Sequence, residues 1–433
     1  MILLPSVLRS VPGLIVAGTL LLTSACASAP SGSPPANSSE SPVDAAPAAT
    51  ALPATGTPYA EWPHSALPLT AAPSTWPTLA PWPSTSYPPG QGWRALAVVD
   101  LPSGALHTAV LQNNLRVLRL HTSGPRAVFT DARGPEGKYN EMIFLADVAS
   151  GTVRKIYTAT GRWHVWEPVI DGAVVYWMEG KSEQWRIRSL DVTSGDLCTV
   201  LEGRGDPSYN LTVGDGRLAL VRRTSGASDS IEIRSLTDAR LIRTIETDGR
   251  VYKVALSGEA VFYSSGKVDS AGIMTTANAW LSTPSHPAPL LVAKDAYELD
   301  AHENILTWVS DPAGHGRSDQ VMAARIDNVA PVALTPTPHG DLTGSAWPAT
   351  GDGFVAWRSD WLGLKVPARL AVWSPGMLTA VGIGGTAAVG MVGVRDGWVV
   401  WFTEYDEYAD PPTPAMIAGI RVADLAAVLN RGG

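Results

Sequence analysis

Asp171-Gly-Ala-Val-Val-Tyr-Trp177 and, shortly after it, Asp191-Val-Thr-Ser-Gly195 decide how this chain folds. The first is a two-residue turn feeding an apolar run. The second is a longer polar turn between two further runs. Both recur. Asp-Gly pairs stand at Asp171-Gly172, Asp215-Gly216, Asp352-Gly353 and Asp396-Gly397, and D-x-x-S-G stands at Asp100–Gly104, Asp147–Gly151 and Asp191–Gly195. Asp-Gly suits the hairpin turn that needs positive φ at both central residues. Two hairpin types alternating along a chain describe a four-stranded antiparallel unit that repeats.

The period supports this. The strand-leading turns at Pro125, Gly172, Gly216, Gly258, Asn304, Gly353 and Gly397 are 47, 44, 42, 46, 49 and 44 residues apart. Periods of about 40–50 residues belong to β-propeller blades. After each turn comes a run such as Val174-Val-Tyr-Trp177, Ile305-Leu-Thr-Trp308, Phe354-Val-Ala-Trp357 or Trp398-Val-Val-Trp401. Continuous apolar runs closed by aromatics fit strands buried between neighbouring blades. The expected fold is therefore all-β, a propeller of about seven four-stranded blades, with six or eight open if one unit is irregular. The unit holding Gly258 is the weakest, because 266–277 reads as a long polar loop. An extra hairpin over 94–111 is expected to pair with the last blade, since closing the ring removes exposed strand edges.

The x-D-G-x-φ-φ-x-W strands and Gln320-Val-Met-Ala-Ala-Arg-Ile-Asp327 resemble the broad TolB-like and WD40-like propeller group over about residues 92 to 430. The chain departs from TolB repeats in lacking their regular Ser-Pro-Asp-Gly turn. It also lacks the Gly-His and Trp-Asp pairs of WD40 blades. The resemblance implies the architecture and no particular partner.

Three segments precede or make up this array: a leader over 1–26, a Pro/Ala/Ser-rich stretch over 27–91, and the propeller over 92–433. Arg9, the apolar run Val11–Leu22 and the small residues after it read as an export signal. Leu22-Thr-Ser-Ala-Cys26 resembles a bacterial lipobox, with Thr23 where Leu is usual; the resemblance implies a lipidated Cys26 after cleavage. Cleavage at an A-x-A site without lipidation is the alternative. Composition over 27–91 cannot bury enough apolar area to offset chain ordering, so a disordered tether is expected. At about 3.1 Å per extended residue it reaches on the order of 200 Å. The expected location is the cell envelope, on the outer side of the cytoplasmic membrane or on the outer membrane, or, failing lipidation, secreted. Cys198, the second of two cysteines, reads as a buried strand thiol.

A net charge of −8 with 17% charged residues argues against a general nucleic-acid binder, which needs a basic surface. The chain has no H-E-x-x-H, C-x-x-C, P-loop or G-x-G-x-x-G helix opening, and no cofactor is expected. Glu404-Tyr-Asp-Glu-Tyr-Ala-Asp410 is the densest acidic cluster; Asp406, Glu407 and Asp410 are its weak candidates for a metal, in a loop without an EF-hand ladder.

In a four-stranded blade with strands a to d, the a–b and c–d turns share one face. The b–c and blade-to-blade connections share the other. Function tends to sit on variable loops held by a rigid frame, so the second face and its axial mouth are the place to search. Six or seven residues before each strand turn stand Trp166, Tyr209, Tyr252, Tyr297 and Trp347, a possible ring of aromatics for stacking on sugars or apolar groups, or wedges between blades. His164, Glu167, Arg204, Asp206, Glu298, His339 and Asp341 flank them. The leading expectation is an envelope scaffold, anchored to the membrane by its N-terminal lipid, that binds a protein or glycan. The alternatives are a carbohydrate-active propeller enzyme, with carboxylates gathered from separate blades, and a purely structural envelope component.

Overall fold

The structure, a computed structural model, describes residues 97–429 apart from 103, 112–116, 132–141, 206, 224–227, 270–275, 311–319, 336–342, 362–368, 376, 378–379, 385, 387–388 and 404–413. The leader, the tether and the acidic loop at 404–410 therefore lie outside the described residues.

Seven antiparallel four-stranded blades follow one another along the chain, one of them extended by a fifth, parallel strand. Their a strands, which wall the axis, are Val117–Ser123, His164–Asp171, Pro207–Gly214, Arg250–Ser257, Ala296–His302, Thr343–Gly351 and Val389–Arg395. These open blades one to seven. Each a strand ends in the tight turn recognised in the sequence. Asp215-Gly216, Asp352-Gly353 and Asp396-Gly397 have φ of 53° and 70°, 51° and 75°, and 51° and 79°. Positive φ at both central residues is what lets a two-residue loop follow the strand twist. Asp147–Gly151 and Asp191–Gly195 join strands c and d, with Asp191 capping its own turn through Thr193 and Ser194. The blade containing Gly258 is a complete four-stranded sheet.

Ring closure differs from the expected hairpin. β1 (Ala97–Val99) and β2 (His107–Val110) belong to different sheets. β2 supplies the outer strand of blade seven, antiparallel to Met416–Arg421. It is needed there because the chain leaves that blade's third strand for the helix α1 (Val422–Leu429). β1 instead lies parallel to Val381–Ile383, the outer strand of blade six, and Gly384 N–H donates to the Val99 carbonyl. Asp100–Gly104 is thus a link between two blades. Ala109 and Leu111 are buried, and His107 meets the Trp398 ring edge-on at 5.1 Å.

The core lies between blades. Trp177, Trp308, Trp357 and Trp401 close the second strands of blades two, five, six and seven and are all fully buried. Phe262 of blade four meets Trp308 of blade five at 6.0 Å in a T-shaped contact. Leu425 of α1 is buried in the apolar cluster shared by blades six and seven, and Val422, Ala426 and Leu429 pack against it. Close approach between blades also fixes Gly351: a Cβ there would lie 2.2 Å from the Val394 carbonyl oxygen. Cys198 departs from expectation. It is half-buried on the outer strand of blade two rather than buried. Among the described residues, no helix is long and apolar enough to cross a membrane.

Candidate functional site: the axial channel

The seven a strands enclose a channel of about 260 Å³. Every a strand carries a register shift in its first half, between Leu118 and His121, Trp166 and Val169, Pro207 and Leu211, Val251 and Lys253, Tyr297 and Asp300, Ala346 and Ala349, and Val389 and Val392. A bulge re-aims side chains, because strand faces alternate with period two. Aligning the strands on their turns puts Arg119, Glu167, Asn210, Lys253, Glu298, Trp347 and Met391 at one height, near the face of the b–c loops. Four of them, Arg119, Glu167, Glu298 and Trp347, have positive φ of 44–57°. Non-glycine residues held there are strained and cluster at functional sites.

This mouth ring is charged and self-paired. Arg119 Nε lies 3.1 Å from Glu167 Oε1. Glu298 Oε2 accepts the Trp347 N–H at 2.9 Å across the blade boundary. Arg358 stacks over the Trp347 ring at 5.0 Å. Tyr252, 41% exposed, lies within electrostatic reach of Glu298, Arg119 and Glu167.

One step further in stand His121, Thr212 and Asp300 among small residues. Asp300 Oδ1 pairs with Arg395 at 2.9 Å and Oδ2 accepts the Thr350 N–H. Burial pushes this carboxyl up, but Arg395 and Thr350 outweigh it and hold it below the usual range. His121 Nδ1 accepts the Ile170 N–H at 3.2 Å. Burial, then Arg395, lowers its pKa to about 4, so the ring is neutral with its proton on Nε2. His302, nearer the tight turns, is lowered to about 4 for the same reasons.

The opposite mouth is acidic. Asp171, Asp215, Glu303, Asp352 and Asp396 gather at the a–b turns. Several serve as ties between blades: Asp215 accepts the Gly258 N–H, Asp352 accepts the Gly397 N–H, and Asp396 accepts the Ser123 hydroxyl, which itself accepts the Gly172 N–H. Burial and mutual repulsion push Asp171, Asp352 and Glu303 up.

Of the residues picked from sequence, Trp347, Glu167 and Glu298 line the channel. Trp166, Tyr252 and Tyr297 stand one position before the channel-facing register, and none of the three lines the cavity. Trp166 packs over Gly180, where a Cβ would lie 2.5 Å from the indole, and lies 5.9 Å from the exposed His164. The side chain of Tyr209 and the positions Asp206, His339, Asp341, Asp406, Glu407 and Asp410 fall outside the described residues. Arg204 is exposed at the end of blade two. Sequence reasoning missed Lys253, Asp300, Arg395, His121 and the acidic turn ring. Pro168 and Pro348 were the available signal, since proline inside a strand marks a bulge. Among the described residues, no group of three His, Cys, Asp or Glu is placed to hold a metal ion. The buried Glu179 is fully engaged by Trp177 Nε1 at 2.9 Å and Arg186 Nε at 2.6 Å, which makes it a structural charge.

No protein-family model and no curated protein matches the chain. Solved structures do. The β-propeller domain of the Trilobed protease from Pyrococcus furiosus, described as having an open velcro topology, aligns over 72% of this chain and 98% of its own at 12% identity and TM-score 0.52. The acylaminoacyl peptidase of Pyrococcus horikoshii aligns over 72% at 14% identity and TM-score 0.51; this chain spans half of that enzyme's length. A puromycin-hydrolysing peptidase of Mycobacterium tuberculosis aligns over 76% of this chain and 55% of its own at 16% identity and TM-score 0.51. TolB from Acinetobacter baumannii aligns over 61% of this chain and 64% of its own, with 13% identity and a TM-score of 0.41, a level that adds nothing to the fold already described. At these identities the similarity establishes the seven-bladed propeller and no activity.

Proposed function

We propose that this chain is an exported, lipid-anchored envelope scaffold whose loop-rich axial mouth binds a protein or glycan. The observation that carries the reading is the mouth ring itself. Four bulge residues, Arg119, Glu167, Glu298 and Trp347, hold left-handed backbone at one height around the axis, beside an exposed Tyr252. Such strain persists where a side chain must be aimed. Aromatic faces next to paired charges suit a sugar face or a protein side chain.

The enzymatic alternative would draw its carboxylates from this ring. Glu167 and Glu298 are both engaged, one by Arg119 and one by the Trp347 N–H. That engagement favours recognition over acid–base chemistry on a glycoside, in which a carboxyl must be free to give or take a proton.

Anchoring rests on Leu22-Thr-Ser-Ala-Cys26 after the apolar run, followed by the Pro-rich stretch. Thioether lipidation and a disulfide are exclusive fates for the Cys26 thiol. Mass spectrometry of the mature N-terminus from a membrane fraction tests the anchor. Diacylglyceryl-Cys26 is expected. An N-terminus at Ala27 or Ser28, or Cys26 in a disulfide, would refute it.

A further inference from the structure

Charge around the loop-side half of the channel cancels. Arg119, Lys253 and Arg395 balance Glu167, Glu298 and Asp300 among the lining residues. Trp347 is the aromatic of this wall, and it is held in place. Its backbone has φ of 51°, and its N–H is fixed by Glu298 Oε2 at 2.9 Å. Arg358 stacks on its ring at 5.0 Å, and the residue still lines the cavity. One register step inward, Ala255, Ala349 and Gly393 leave room, while His121, Thr212 and Asp300 line the same height. Each of these three has hydrogen-bonding capacity left. His121 Nδ1 is taken by the Ile170 N–H, which leaves its Nε2–H to donate. The Asp300 oxygens hold one N–H each, from Arg395 and Thr350, and each keeps a lone pair. The Thr212 hydroxyl donates or accepts. The cavity, about 260 Å³, lies just below the roughly 300–1,000 Å³ of pockets for drug-sized ligands. It admits one small ring and excludes a hairpin or helix.

We infer that the axial mouth takes the terminal neutral sugar of a glycan, its C–H face on the Trp347 indole and its hydroxyls on His121, Thr212 and Asp300. This rests on the mouth being the recognition site and names the class of ligand it holds. An aromatic face is the negative lobe of a quadrupole and attracts the weakly positive C–H bonds of a sugar ring. Sugar hydroxyls both donate and accept, so one ring of them meets the imidazole N–H, the carboxylate lone pairs and the threonine hydroxyl together. A charged ligand loses its hydration on entry and gains no net attraction from a balanced wall. An anion also meets Asp171, Asp215 and Asp396 at the far end of the lining. A protein loop inserting one side chain offers no comparable pairing of an apolar face with several hydroxyls.

Isothermal titration of the full chain tests it, with the methyl glycosides of glucose, galactose, mannose and N-acetylglucosamine, and with glucuronate and glucosamine as charged controls. Saturable binding of at least one neutral glycoside is expected, with both charged sugars at least tenfold weaker. Trp347→Ala and the volume-conserving Thr212→Val are each expected to weaken the preferred glycoside tenfold or more. Leu241→Ser, on an exposed outer strand, is expected to leave it unchanged. No saturation by any of the four glycosides would overturn the proposal. So would equal binding of the charged sugars, or undiminished binding in both channel variants. The ligand series on the unmodified chain decides the matter even if a variant fails to fold. Photo-crosslinking from position 252 separates the two readings. A protein captured there, with no glycoside bound, would overturn the sugar and keep the mouth as a recognition site. No adduct and no bound glycoside would overturn both.

Discussion

His121 is expected to make the propeller acid-labile, and one substitution should remove its share of that lability. Its pKa falls from 6.5 to about 4 on folding, because burial and the nearby Arg395 disfavour the imidazolium. The unfolded chain therefore takes up a proton below pH 6.5 that the folded chain refuses until about pH 4. Stability is fully present above pH 6.5 and declines as pH falls toward 4. The whole window is worth about 3 kcal/mol, of which roughly 2 kcal/mol is lost by pH 5. His302, shifted in the same direction to about 4, adds a loss of similar size. Asp171, Asp352 and Glu303 act oppositely. Their folded pKa values are raised, so acidification through the carboxylate range relieves repulsion in the turn ring and offsets part of the loss at lower pH. His121→Asn places an amide oxygen where Nδ1 accepts the Ile170 N–H and removes the titrating group. Chemical unfolding at pH 7.5 and pH 5 should show the parent losing stability and the variant losing about 2 kcal/mol less. An identical pH dependence in the two proteins, or a parent that gains stability between pH 7.5 and 5, would refute the reasoning.

Other consequences follow from closure and packing. Ala109→Asp places an unpaired charge at a fully buried position of β2 and should cost about 3 kcal/mol or more; limited proteolysis should then cut near residue 110 before the blades. Gly351→Ala pushes a methyl to 2.2 Å from the Val394 carbonyl oxygen. It should lower stability by about 1–3 kcal/mol, read from the unfolding midpoint. Glu298→Ala leaves the Trp347 N–H without its acceptor and should cost about 1–3 kcal/mol, whereas Glu298→Gln, which keeps an oxygen there, should recover most of it in the same assay.

The architecture was readable because its turns obey local rules. Asp215-Gly216 needs positive φ twice, and Asp and Gly are residues that tolerate it. Repetition at a blade-length period then did the rest. The closing strands were half readable. An extra strand segment ahead of the first unit and the need to close the ring pointed to the last blade, where β2 lies, but nothing local in Ala97-Val-Val99 says that it runs parallel along blade six. Site residues were harder. A bulge at one position in every inner strand shifts the facing register by one residue, so the aromatic at 166 turns aside and Glu167 turns inward. Long-range pairs such as Asp300 with Arg395 leave no mark in local sequence, because the ring alone brings blades five and seven to a common axis.

The proposed partner surface at the axial mouth is the centre of this account, and site-specific photo-crosslinking in intact cells tests it most directly. A crosslinker replacing Tyr252 at the mouth is expected to capture a discrete protein or glycan adduct, lost when Trp347→Ala is added. A crosslinker replacing Leu241, exposed on an outer strand, is expected to capture none. Adducts from position 241 with none from position 252 would place recognition on the rim and contradict the axial reading.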